Sequence, residues 1–121
     1  MITVRLPWPP KELSPNARVH WAKKAKRANE YRWFCSIKAR AGWWTKLNKN
    51  ASPPISLAIT FHPPDRRRRD LDNMLASIKA GIDGIADALG VDDQHFSLRL
   101  ERGEPTRGGE VVAVITEGNE A

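Results

Sequence analysis

The chain holds one cysteine, Cys35. No intrachain disulfide can form and thiolates cannot assemble a structural zinc cluster, a pattern that suits a reducing cytoplasm. Histidine is nearly as scarce. His20, His62 and His95 are scattered without the short pairwise spacing of a zinc site, and each reads as a structural or solvated side chain. No stretch approaches the roughly 20 consecutive apolar residues of a membrane span, so no membrane partner is expected. The N-terminal Met1-Ile-Thr-Val-Arg-Leu-Pro lacks the long apolar region of a signal peptide, and a soluble, cytoplasmic protein is the expectation. Internal repeats are missing too. What remains is a chain of 121 residues, 40% hydrophobic and 28% charged, which suits a single small domain over residues 1–121.

Charge is the abundant feature, and it is unevenly placed. Residues 1–69 carry 16 Lys or Arg against 3 Asp or Glu, whereas residues 70–121 carry 4 against 11. A basic first half is an electrostatic footprint for a polyanion, because each phosphate neutralised releases condensed counterions. Basic runs also occur as merely solvated faces, yet nucleic acid is the favoured partner. The acidic second half then needs another role.

Ile2 to Leu6 alternates apolar and polar residues and reads as a strand ended by Pro7-Trp8-Pro9-Pro10. From about Asn16 to Leu47 the chain has no proline and only Gly42. Trp21, Ala25, Ala28, Tyr31, Phe34, Ile37, Ala41 and Trp44 recur there at steps of three or four, predicting a long amphipathic helix. Its other face carries Lys23, Lys24, Lys26, Arg27, Lys38 and Arg40, and Lys23, Lys24 and Arg27 are candidate DNA contacts. Ile55 to His62 reads as a second strand. A helix is predicted from about Asp72 to Leu89 on the stripe Leu71, Leu75, Ile78, Ile82, Ile85 and Leu89, with Gly90 as its stop. Phe96–Glu101 and Val111–Thr116 are two further strands, and the Pro105, Gly108-Gly109 loop between them suggests an antiparallel hairpin. The expectation is an α+β domain of order β-α-β-α-β-β, with a mixed sheet and two main helices.

The densest signal is Asp65-Arg-Arg-Arg-Arg-Asp70-Leu-Asp72-Asn73, where a strand hands over to a helix. Asp70 and Asp72 are two apart, so in an extended segment their carboxylates point to one side and can share a hard cation. Beside a phosphodiester such a pair makes sense only if a divalent ion reverses the local charge and polarises the phosphoryl group. Asp in a first helical turn is also a common cap, and alone it would be read as one. Four preceding arginines, Arg66, Arg67, Arg68 and Arg69, tilt the reading to a metal site with phosphate clamps. Asp92 and Asp93 form a second acidic patch, which an ordinary polar turn would explain equally well.

Leu6-Pro-Trp-Pro-Pro10 and the arginine–aspartate motif, with Asp92-Asp93 some twenty residues on and Ile115-Thr-Glu-Gly-Asn-Glu120 at the end, resemble the RusA family of Holliday junction resolvases. The resemblance spans nearly the whole chain. It implies a homodimeric endodeoxyribonuclease, common in phages and prophages, that uses Mg²⁺, or Mn²⁺ in its place, to nick opposing strands of a four-way junction. The catalytic, metal-binding aspartates then fall on Asp70, Asp72 and Asp93, and the phosphate-contacting arginine on Arg69. The family's lysine, one helical turn after the second aspartate, is Ala76 here. Lys79 projects from nearly the same face one turn later and is a candidate substitute; an i,i+4 surface pair with Asp83 is the competing reading.

Length sets a geometric condition on the third aspartate. A straight helix over 72–89 is about 25 Å long, while residues 90–93 can return at most about 14 Å. Asp93 cannot then reach its own Asp72. Either the helix bends at Gly81 or Gly84, or each site is completed by Asp93 of a second subunit, which is the reading preferred here. Three alternatives stand beside the junction resolvase: a broader branched-DNA debranching nuclease serving phage DNA packaging, a non-catalytic basic DNA-binding protein, and a ribonuclease or RNA binder.

Overall fold

β1 (Ile2–Pro7), β2 (Ile55–His62), β3 (Phe96–Arg102) and β4 (Glu110–Glu117) form one sheet in the order β1-β4-β2-β3, with α1 (Trp21–Leu47) and α2 (Leu71–Leu89) as the two long helices. The structure is a computed structural model describing residues 1–47 and 50–118; Asn119 and Glu120 of the C-terminal motif lie outside the described residues. The fold is α+β with a mixed sheet, as the periodicities predict. No described helix is long and apolar enough to cross a membrane.

β4 pairs antiparallel with both β1 and β2, so Val4, Ala113 and Ile59 lie side by side. Alternate residues of these strands are buried, from Ile2, Val4 and Leu6 through Val111, Ala113 and Ile115 to Ile55, Leu57, Ile59 and Phe61. The helices cover that one face and complete a single apolar cluster with Tyr31, Cys35, Ala39 and Trp43 of α1 and Ile78, Ile82, Ile85 and Leu89 of α2. Burial pushes the Cys35 thiol up to about 12, so it is a packing group rather than a nucleophile.

The expected β3–β4 hairpin does not form. β3 runs parallel to β2, and β4 lies on the other side of β2. β3, Phe-Ser-Leu-Arg-Leu-Glu-Arg, alternates apolar and polar residues but only half-buries Phe96 and Leu100 and leaves Leu98 exposed, and it takes the edge, whereas β4 buries every second residue from Val111 to Ile115 in the interior of the sheet. The connection therefore crosses the end of β2, where Gly103 donates to the Phe61 carbonyl at 2.8 Å and Thr106 to the Pro63 carbonyl at 2.9 Å.

The buried stripe of α1 also differs from expectation. Ala28, Tyr31, Cys35, Ala39 and Trp43 turn inward with part of Trp44, whereas Trp21, Ala25, Phe34, Ile37 and Ala41 are exposed. The reason lies in α2. A Cβ on Gly84 would stand 2.3 Å from the Arg32 carbonyl oxygen, and one on Gly81 would stand 2.9 Å from the Tyr31 ring. At Gly84 the two helix backbones approach each other directly, and at Gly81 the α2 backbone lies against the Tyr31 ring and the Cys35 sulfur, so neither position has room for a side chain. Gly81 and Gly84 are thus close-packing positions within an unbroken 19-residue helix rather than bends. Gly84→Ala is expected to destabilise the fold by about 3 kcal/mol or more, read as a drop in chemical-denaturation midpoint. An unchanged midpoint would contradict this close approach.

Candidate active site

The loop from β2 to α2 is shaped by Asp65. Its carboxylate accepts from the Arg67 N–H at 2.9 Å, from Arg67 Nη2 at 3.2 Å and from Arg69 Nη1 at 2.9 Å. The first bond is an Asx-turn, and the last spans i to i+4. Arg69 is held further by the Asp65 and Arg67 carbonyls, and its guanidinium lies 5.6 Å from the Trp8 ring centroid. Arg102 of β3 donates to the Arg69 carbonyl at 2.6 Å. Trp8 in turn is set by the end of β1, where the Tyr31 hydroxyl donates to the Pro7 carbonyl at 2.6 Å. Arg69 is therefore a pre-organised cation.

Its three neighbours behave differently. Arg67 shares Asp65, and Arg66 approaches Glu104 at 3.7 Å with both side chains exposed, a pair of little energetic consequence. Arg68 is exposed and makes no ion pair among the described residues. On α1, Lys23 is exposed and Lys24 partly so, while Arg27 lies 3.5 Å from the buried Glu12 and 3.9 Å from Glu30. Arg27 ties α1 to the turn at Lys11–Leu13.

The hydrogen bond from Arg69, followed by that from the Arg67 backbone, holds the Asp65 carboxyl well below the usual carboxylate range. A depressed folded value stabilises the protein above the unfolded pKa near 4 and loses that effect as the pH falls. The difference in melting temperature between wild type and Asp65→Asn is therefore expected to hold constant from about pH 5 to pH 9, then shrink steadily below about pH 4. A difference that grew on acidification would refute the anchor.

Asp70 occupies the N-cap position of α2 but makes no side-chain capping bond, so the simple capping explanation does not describe it. Asp72 sits in the first turn, and both carboxylates are exposed with no ion-pair partner among the described residues. Two exposed carboxylates two residues apart are hard oxygen donors of the kind that could hold a divalent cation. Asp93 is elsewhere. It opens a single helical turn, Asp93–His95, whose cap Asp92 accepts from the Gln94 N–H at 2.9 Å. Its carboxylate receives the Lys79 ammonium at 2.5 Å, and the same ammonium reaches Asp83 at 2.8 Å. Lys79 lies seven residues beyond Asp72 and Asp83 eleven, about 10 and 16 Å along the helix axis. Among the described residues no three His, Cys, Asp or Glu side chains form a metal-holding group.

Two acidic groups thus stand along α2: Asp70 and Asp72 at its start, and Asp93 with Asp83 on Lys79 further along. Lys79 makes the i,i+4 pair with Asp83 and ties down Asp93 as well. That contact holds Asp93 below the usual carboxylate range and raises Lys79, for which Asp83 is the larger cause. The Lys79–Asp83 pair is the i,i+4 reading offered from the sequence, whereas Asp65 and Trp8 take parts that their sequence positions did not assign. Asp65 was readable in principle from its i+4 spacing to Arg69, but nothing local links Trp8 to Arg69.

No family model matches the chain. It is 36% identical to crossover junction endodeoxyribonuclease RusA of Shigella sonnei, over 98% of this chain and 97% of that one. To the protein of the same name from Enterobacteria phage 82 it is 34% identical, over 97% and 96% of the two chains. An uncharacterized protein of Xylella fastidiosa is 45% identical over 117 residues, 96% of this chain and 76% of that protein.

Proposed function

The chain belongs to the RusA family of crossover junction endodeoxyribonucleases, and from that premise we propose that it resolves four-way DNA junctions by paired, metal-dependent hydrolysis of phosphodiester bonds. It is an endodeoxyribonuclease of the junction-resolving kind, acting in recombination and repair in the cytoplasm of a bacterial or phage-infected cell. The observation that carries the reading is the pairing of two free carboxylates, Asp70 and Asp72, with the anchored cation Arg69 at the start of α2.

Asp70 and Asp72 would hold Mg²⁺, with Mn²⁺ able to replace it. That ion, when bound, supplies charge neutralisation at the scissile phosphate and an activated water. The side chains of this chain do the rest. Arg69, fixed by Asp65 and Trp8, contacts a phosphate without losing much rotamer freedom on binding. Arg66, Arg67, Arg68, Lys23 and Lys24 provide the looser electrostatic field that draws the junction in. Asp93 completes the acidic set from a second subunit of a homodimer, since within one chain its carboxylate is held by Lys79, whose place on α2 is about 10 Å beyond Asp72. Lys79 steadies Asp93 and can pass toward a phosphate oxygen when DNA arrives. A two-fold enzyme also matches the two symmetric cuts that a four-way junction requires.

The test is a synthetic four-way junction and a matched linear duplex, each incubated with and without Mg²⁺. Nicks at opposed positions of the junction, only with metal and at least about tenfold faster than in the duplex, are expected. Equal cutting of forks and flaps would move the reading to a general debranching nuclease, and no metal-dependent nicking would overturn it.

A further inference from the structure

Between the Trp8-Pro-Pro turn and the start of α2 lies an open cleft of about 790 Å³ that reaches Asp70. Its volume is that of a small-molecule site. A surface that only clamps phosphates needs cations and nothing more, yet this cleft is also lined by Trp8, backed by the buried Phe61 and Met74. Trp8 meets Phe61 edge to face at 6.3 Å between centroids and carries the Arg69 guanidinium against its ring. Asn16 and Asn73 line the cleft as well, and their side-chain amides have no hydrogen-bond partner among the described residues. An amide offers a donor and an acceptor side by side, the pattern that reads a base edge. The exposed Arg68, also in the lining, supplies charge for the attached backbone.

We propose that this cleft is a nucleobase pocket, taking one unstacked base next to the scissile phosphate against the Arg69–Trp8 stack, with Asn16 and Asn73 on its edge. The proposal rests on the junction-nuclease reading and deepens it. A base in continuous duplex is stacked on both sides, whereas a base at a branch point has already lost part of its stacking and leaves the helix at smaller cost. The pocket therefore does two things that charge cannot: it favours a branch over a linear duplex, and it prefers some bases at the cut over others. It also gives Leu6-Pro-Trp-Pro-Pro10 a part, since the prolines fix the turn that presents Trp8.

The experiment places 2-aminopurine at the nucleotide flanking the mapped cut and follows its fluorescence in EDTA, so that binding is read without metal or chemistry. Wild type is expected to raise the signal severalfold on the junction and not on the matched duplex. The Asn16→Ala, Asn73→Ala double variant changes two partly or fully exposed side chains outside the core, and it is expected to reduce the rise by at least half. Trp8→Ala is expected to abolish it, with Trp8→Phe restoring part, and to slow cleavage roughly tenfold. Replacing the flanking nucleotide by an abasic one should slow wild type by a similar factor and slow the double variant hardly further. A wild type that cuts the junction with metal yet shows no fluorescence rise, or cuts the abasic junction at full rate, overturns the pocket and leaves the nuclease reading intact. Failure of wild type to nick any junction overturns both.

Discussion

Asp72→Asn is expected to lower Mg²⁺-dependent nicking of a four-way junction by at least about 10²- to 10³-fold, a loss of the size seen when one transition-state stabiliser is removed. The change keeps the shape of the side chain and removes the charge that holds a cation against the phosphate. Binding should respond in the opposite direction. Without metal, Asp72 repels the backbone it faces, so the variant is expected to bind the junction as tightly as wild type or severalfold more tightly, measured by anisotropy in EDTA. Folding is not at stake, because Asp72 is exposed and makes no ion pair among the described residues. Persistence of nicking in this variant would remove Asp72 from the chemistry, whatever the family says.

Mixing Asp70→Asn with Asp93→Asn should rescue nicking that neither protein shows alone. If each site combines Asp70 and Asp72 of one subunit with Asp93 of the other, a heterodimer holds one site with both lesions and one site with none. Random exchange makes half the dimers heterodimers, so nicking should recover to about one quarter of the wild-type rate. The product should be singly nicked junction rather than resolved duplexes, because only one of the two sites works. A site built within one chain allows no rescue. The α2 geometry argues for sharing: the helix is unbroken, its glycines are used for packing against α1, and Asp93 is already engaged by Lys79 away from Asp72.

The element order was legible because each element carries its own period. α2 is the clearest case, with Ile78, Ile82, Ile85 and Leu89 buried where the stripe predicts and Gly90 stopping the helix in the left-handed region at φ 70°. α1 misled for a definable reason. Its two candidate stripes share Tyr31 and lie only one or two residues apart beyond it, and bulk favours Phe34 and Ile37, whereas close approach to the α2 glycines selects Cys35. Hydrophobic content cannot see a partner helix. The β3–β4 hairpin failed likewise, since loop composition says that a turn exists but not which strands it joins. At the site, the aspartates and arginines stood out by local density, and helix length alone separated Asp93 from Asp72. What local sequence could not supply was the Trp8–Arg69 stack, formed by residues 61 positions apart through a tyrosine bond and a strand end.

The place of β4 between β1 and β2 has a consequence for how the chain acquires its shape. Ile2 pairs with Ile115, nearly the whole length of the chain away, and among the described residues β1 has no other strand neighbour. Long-range closure of this kind is slow, because chain entropy is lost before contacts repay it. Until residues 110–117 are in place, β1 and β2 each present an unpaired edge to other growing chains, which is a hazard for aggregation. The same delay withholds the scaffold beneath Trp8 and the β2–α2 loop. A nascent chain that lacks its final strand therefore has the aspartates but not the frame that aims them, and DNA meets a working nuclease only after synthesis has passed the last strand.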